Sequence, residues 1–134
     1  MCSIAKESAF QFTNPVLKYL EFHLSEVFSA RPDMETVSVQ TKLRLSIKRD
    51  DVLPEAIVDL SFELGEKNDN CPFYVHAIET GRFKWAENIG EETLKLLLNQ
   101  NAPSLLLSYL RPIIVQITAA SQYGAYNIPF MNFT

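Results

Sequence analysis

Between Val37 and Lys48 apolar and polar side chains alternate without a fault. Val37, Val39, Thr41, Leu43, Leu45 and Ile47 interleave with Ser38, Gln40, Lys42, Arg44, Ser46 and Lys48. Period two over this span predicts one long strand with a dry face and a wet face. Leu20, Phe22 and Leu24 alternate with Glu21, His23 and Ser25 before it. Ala56, Val58, Leu60, Phe62 and Leu64 alternate with Glu55, Asp59, Ser61 and Glu63 after it, with Ile57 breaking the polar side. A fourth strand, Phe73 to about Trp85, is apolar on both faces: Phe73, Val75 and Ala77 on one, Tyr74 and Ile78 on the other. Turn-like segments separate these runs at Ala30–Asp33, Arg49–Asp51 and Gly65–Asn70. Short connectors favour antiparallel neighbours, so the pattern predicts a four-stranded antiparallel meander.

The period then changes. Glu91 and Glu92 place acids in a first helical turn, and Leu94, Leu97 and Leu98 fall on one face. Pro103 suits the first turn of a second helix whose apolar side carries Leu106, Tyr109, Leu110, Ile113, Ile114 and Ile117. Pro112 inside that pattern predicts a kink or break. The end of the chain, from Gly124, is rich in Asn and aromatics, and Tyr123, Tyr126, Phe130 and Phe133 need something to pack on. There is no repeat and no boundary, so residues 1–134 read as a single α+β domain: an antiparallel sheet followed by helices packed on one side. The two-sided fourth strand and a partly uncovered sheet face predict subunits that pack together.

Composition narrows the function. At 47% hydrophobic and 21% charged the chain is ordinary for a globular domain. A net charge of -4 opposes binding to bare nucleic acid, which needs clustered cations to displace counterions. The N-terminus carries Lys6 and Glu7 where a signal peptide would be apolar, and no uninterrupted apolar run is long enough to cross a bilayer. Cys2 and Cys71 form no disulfide framework. The reading is a reduced, cytoplasmic protein without membrane insertion.

Reactive groups are sparse. His23 falls on the polar face of the first strand, and His76 shares a face with Tyr74 and Ile78. A surface histidine and a hydrogen-bonded interface histidine account for both. Cys71 and His76 are half of a zinc set with the other ligands missing. Glu55, Asp59 and Glu63 line one strand face, the usual appearance of a solvated side, although a catalytic carboxylate pair is geometrically possible. No phosphate loop, nucleophile elbow or paired-histidine helix occurs. The expectation is a protein that is not an enzyme and uses no metal or cofactor. The competing enzyme reading would join His76, Cys71 and a strand carboxylate in a closed pocket.

The aromatic residues point to binding. Phe73, Phe83 and Trp85 crowd the fourth strand, and Tyr123, Tyr126, Phe130 and Phe133 crowd the C-terminus. Many must be core, but together they are candidates for a groove that accepts extended apolar peptide. Such adaptable surfaces suit promiscuous binding.

Several segments resemble the export chaperone SecB. Ala102-Pro103-Ser104 followed by three leucines and Ser108-Tyr109-Leu110-Arg111 is similar to the family's Cys-Pro-Asn, apolar run and Pro-Tyr-Ala-Arg. Asn132-Phe133 resembles the family's later Asn-Phe, Glu79-x-Gly81-x-Phe83 its strand ending in Gly-x-Phe, and Leu64-Gly65-Glu66 its preceding turn. Lys18 to His23 matches the family's Lys-Asp-Ile-Ser-Phe-Glu in outline. The resemblance implies a SecB-like fold, a dimer or dimer of dimers, and ATP-independent holding of unfolded or precursor polypeptides. It implies that Glu66 could dock the basic tail of the export motor SecA. Tyr19 and His23 stand where the family has acids, which weakens that docking. A SecB-like chaperone of a toxin–antitoxin pair, or a dimerisation domain serving one partner, is the alternative.

Overall fold

The computed structural model describes residues 5–28, 39–68 and 70–133. Four strands form one antiparallel sheet: β1 (Phe10–Leu24), β2 (Thr41–Arg49), β3 (Glu55–Gly65) and β4 (Phe73–Trp85). Their spatial order is β1-β4-β3-β2. The last three are the predicted meander, but β1 joins beside β4 instead of beside β2, so the four strands do not form one meander. The chain therefore passes from one sheet edge to the other between Leu24 and Thr41. The expected turn at Ala30–Asp33, and Val37 and Ser38 of the expected second strand, lie outside the described residues.

β1 is longer than its alternation predicts because its parity breaks twice. Thr13 pairs with Arg82 and Val16 with Thr80, so Asn14 and Pro15 bulge opposite one residue. Asn14 takes the left-handed φ of 46° that such a bulge uses. Lys18 is a second extra residue, between the Leu17–Glu79 and Tyr19–Ile78 pairs. Phe10, Phe12, Leu17, Leu20, Phe22 and Leu24 nevertheless share one face, because each bulge resets the alternation.

Glu91–Leu96 (α1) continues through one π-helical turn, Leu97–Asn101, into α2 (Ala102–Ala119). Pro103 has no N–H to donate, and the N–H of Ala102 reaches back five residues to the Leu97 carbonyl. α2 passes Pro112 without the expected break. The missing bond lies on the solvent side, where Pro112 and Ser108 are both exposed. By length and composition Glu91–Ala119 could cross a membrane. Here Leu94, Leu98, Leu106, Leu107, Leu110 and Ile114 are buried on the sheet.

The core lies between this helix and the inner sheet face. Val58, Leu60, Phe62 and Leu64 of β3 and Val75 and Ala77 of β4 are fully buried there. Gly81 lets α2 approach: a Cβ at this position would stand 3.0 Å from Leu106 Cδ2. The segment after α2 returns along the helix as an extended strap. It touches Thr118 (Tyr126 N–H to Oγ1, 2.8 Å) and Arg111, whose guanidinium donates to the carbonyls of Ile128 and Pro129 at 3.0 Å each. Ser104 helps line a cavity with Met131 and Phe133. Ser104, Arg111 and Thr118 are seven apart, which sets them in one stripe along the helix.

Candidate functional site

α2 lies mainly over β3 and β4, so the inner face of the edge strand β1 is left partly bare. Phe12, Leu17, Leu20 and Leu24 point to that face and are each between 38% and 41% exposed. Tyr109 of α2 packs edge-on against Phe12, with ring centroids 6.3 Å apart. Ile113 and Ile117 follow Tyr109 at helical spacing, both half-buried. The result is an apolar trough between a strand edge and a helix. Its strand side also offers backbone N–H and C=O groups with no neighbouring strand among the described residues.

The aromatic residues singled out in sequence are distributed differently. Phe73 and Phe83 are 4% and 1% exposed and belong to the core. Trp85 is half-buried, stacks with Phe10 and carries the Arg49 guanidinium 5.6 Å above its ring. Tyr123 is half-buried beside the end of β1: its hydroxyl donates to the Ser25 carbonyl at 2.9 Å and its ring meets Phe28. Tyr126 and Phe133 are half-buried in the strap, and burial pushes the Tyr126 hydroxyl up. Phe130 is fully exposed, with Arg111 over its ring at 5.8 Å. These seven side chains do not meet in one groove. The alternation of Leu20, Phe22 and Leu24 is legible in sequence, but the two bulges hide that Phe12 and Leu17 share their face, and only the packing of α2 brings Tyr109 beside them.

The outer sheet face is polar and internally bonded. Tyr74 donates to Glu63 at 3.0 Å, and burial followed by that bond pushes its hydroxyl up to about 12. Tyr19 donates to Glu21 at 3.0 Å, which also pairs with Lys67. The lysine foremost, and then the tyrosine, hold the Glu21 carboxyl below its ordinary range. His76 Nε2 lies 3.0 Å from Ser61 Oγ and its ring is 5.1 Å from that of Tyr19. His23 is exposed on the same face. Glu66 is exposed in the β3–β4 turn, accepting a 2.6 Å bond from Asn68. Cys71 is half-buried, and no cluster of three His, Cys, Asp or Glu side chains able to hold a metal occurs among the described residues. Ser61 and His76 sit half-buried on the outer sheet face.

A four-stranded antiparallel sheet followed by a helix laid on one face, in this order, is the SecB-like fold. The chain superposes on a SecB-like chaperone of Mycobacterium tuberculosis, Rv1957, whose structure holds a ChAD peptide from the HigA1 antitoxin. The TM-score is 0.73 at 13% identity, over 91% of this chain and 90% of that one. A protein of unknown function from Streptococcus agalactiae aligns over 90% of this chain and 97% of its own with a TM-score of 0.49 and 9% identity. No protein-family model matches the chain, and no curated protein matches it in sequence.

Proposed function

We propose that this protein is an ATP-independent holdase that binds unfolded or precursor polypeptide in the cytoplasm, works as a homo-oligomer and performs no catalysis. The observation that carries this is the apolar trough: Phe12, Leu17, Leu20 and Leu24 in one row beside Tyr109, along an open strand edge. An extended client could add backbone hydrogen bonds to β1 while its side chains enter the trough. A second copy covering part of this row would agree with a dimer or dimer of dimers.

A companion of one toxin–antitoxin pair is the second reading. It is favoured by the likeness to a chaperone seen with an antitoxin peptide, and by Tyr19, which is tied into the Glu21–Lys67 pair where an acid would be needed to attract a basic tail. Coupling to SecA through Glu66 is not proposed.

The test is dilution of a chemically unfolded protein into the purified chain without nucleotide, with oligomer size read by light scattering. Stoichiometric protection, lost in Leu17→Asp/Leu20→Asp with the circular dichroism spectrum retained, supports the holdase. A folded protein that protects no client sinks the general holdase and leaves the one-partner reading.

A further inference from the structure

The two edges of the sheet differ in chemistry. β1 offers the apolar row, whereas β2 presents Lys42, Arg44 and Lys48 at alternate positions on its outward face, all exposed. None of the three has a carboxylate within ion-pair distance among the described residues. This is unexpected, because acids stand next to them: Glu63 lies directly opposite Lys42, and Asp59 opposite Ser46. Those acids are turned toward the middle of the sheet. Glu63 accepts from Tyr74, Asp59 pairs with Lys18 at 2.9 Å, and Glu55 holds Arg82 at 3.0 Å and Lys84 at 3.9 Å. The acids of β3 are thus engaged with β1 and β4, and among the described residues the β2 cations have no acidic partner, in a chain of net charge -4.

We propose that the outward face of β2 is a docking edge for an acidic polypeptide segment, which adds to the sheet as a fifth strand. Pairing with β2 would set every second side chain of the segment opposite Lys42, Arg44, Ser46 and Lys48, at cross-strand contact distance. Acidic residues at that spacing meet all three cations. A second copy of this chain does not fit, since β2 against β2 would oppose like charges. Lysines on an edge strand also discourage aggregation, but that purpose gives no reason for the neighbouring acids to turn away. A strand is favoured over a nucleic acid because the cations repeat with the strand's period of two, beside backbone groups that pair with no strand among the described residues. The trough on the opposite face is not involved, so this inference stands apart from the holdase reading.

The probe is a fluorescein-labelled peptide of alternating Glu and Val, with an alternating Lys and Val control, read by anisotropy against the full chain. Binding of the acidic peptide alone, weakened by 0.5 M salt and lowered about tenfold in Lys42→Glu/Arg44→Glu, is the expected result. Lys42→Gln/Lys48→Gln should weaken it by less, and serves as the reading if the charge reversal unfolds the protein. The same peptide with prolines at the positions whose N–H would face β2 should not bind. Equal affinity in wild type and variants, full affinity of the proline peptide, or stronger binding of single-stranded RNA than of the acidic peptide would each overturn the proposal. Client protection in the aggregation assay should be unchanged in the β2 variants, so failure of one idea does not carry the other.

Discussion

Glu79 stands on the inner face of β4 with Leu17 and Leu60 as its cross-strand neighbours, 2% exposed, and its Oε1 is buried without a hydrogen-bond partner. Burial raises its pKa, because a carboxylate stripped of water is destabilised more than the neutral acid. The folded carboxyl therefore keeps its proton to higher pH than the unfolded one, and stability falls as pH rises through the window between the two values. Glu79→Gln is expected to stabilise the protein by about 1–3 kcal/mol at neutral pH and by much less near pH 4. Urea denaturation across pH checks this, and a difference that does not change with pH would refute it. Gly65 is the opposite case. Its φ is 77°, and a Cβ added there would stand 2.2 Å from the Phe73 carbonyl oxygen, so the position admits no side chain. Gly65→Ala should cost at least about 2 kcal/mol by the same measurement; a loss under about 0.5 kcal/mol would mean the turn can rearrange. Of the two, the turn glycine is legible in sequence, whereas nothing in the alternation of β4 marks Glu79 as buried. The strand reads as apolar on both faces, and only the helix above it shows which face is dry.

Among the elements, α2 decides most. One side buries Leu106, Leu110 and Ile114, a second holds the strap through Arg111 and Thr118, and Tyr109 faces the β1 row. Arg111 is the strap's main polar tie, with two charged hydrogen bonds to consecutive carbonyls. Arg111→Ala is expected to cost about 1–3 kcal/mol and to speed cleavage of the segment after Gly124 in limited proteolysis. Unchanged cleavage would show that the aromatic contacts alone hold it. Helical periodicity made the helices themselves readable. It could not foresee that α1 and α2 would run on through a π-helical turn, nor that Pro112 would be harmless. The first rests on the register in which Ala102 bonds back to Leu97, the second on the Ser108 carbonyl facing solvent.

For the molecule as a whole, the contrast between its edges sets the association it can make. The apolar row on β1 is expected to draw copies together, so the melting temperature should rise with protein concentration. Leu20→Asp should remove most of that dependence. A melting temperature constant over a hundredfold range, with a monomer in light scattering, would place the row in the service of clients alone. The basic β2 edge opposes self-pairing and keeps the two edges from competing.

The alternation from Val39 to Trp85 and the later change of period were enough to establish the strands β2, β3 and β4, their antiparallel pairing and the helices behind them. Such local patterns report how each segment meets one neighbour, because burying one face and wetting the other is decided within a few residues. The place of β1 beside β4, the open trough and the free cations of β2 depended on tertiary structure. Strand order and the aim of a carboxylate are settled by competition among segments distant in sequence, and that competition leaves no period to read.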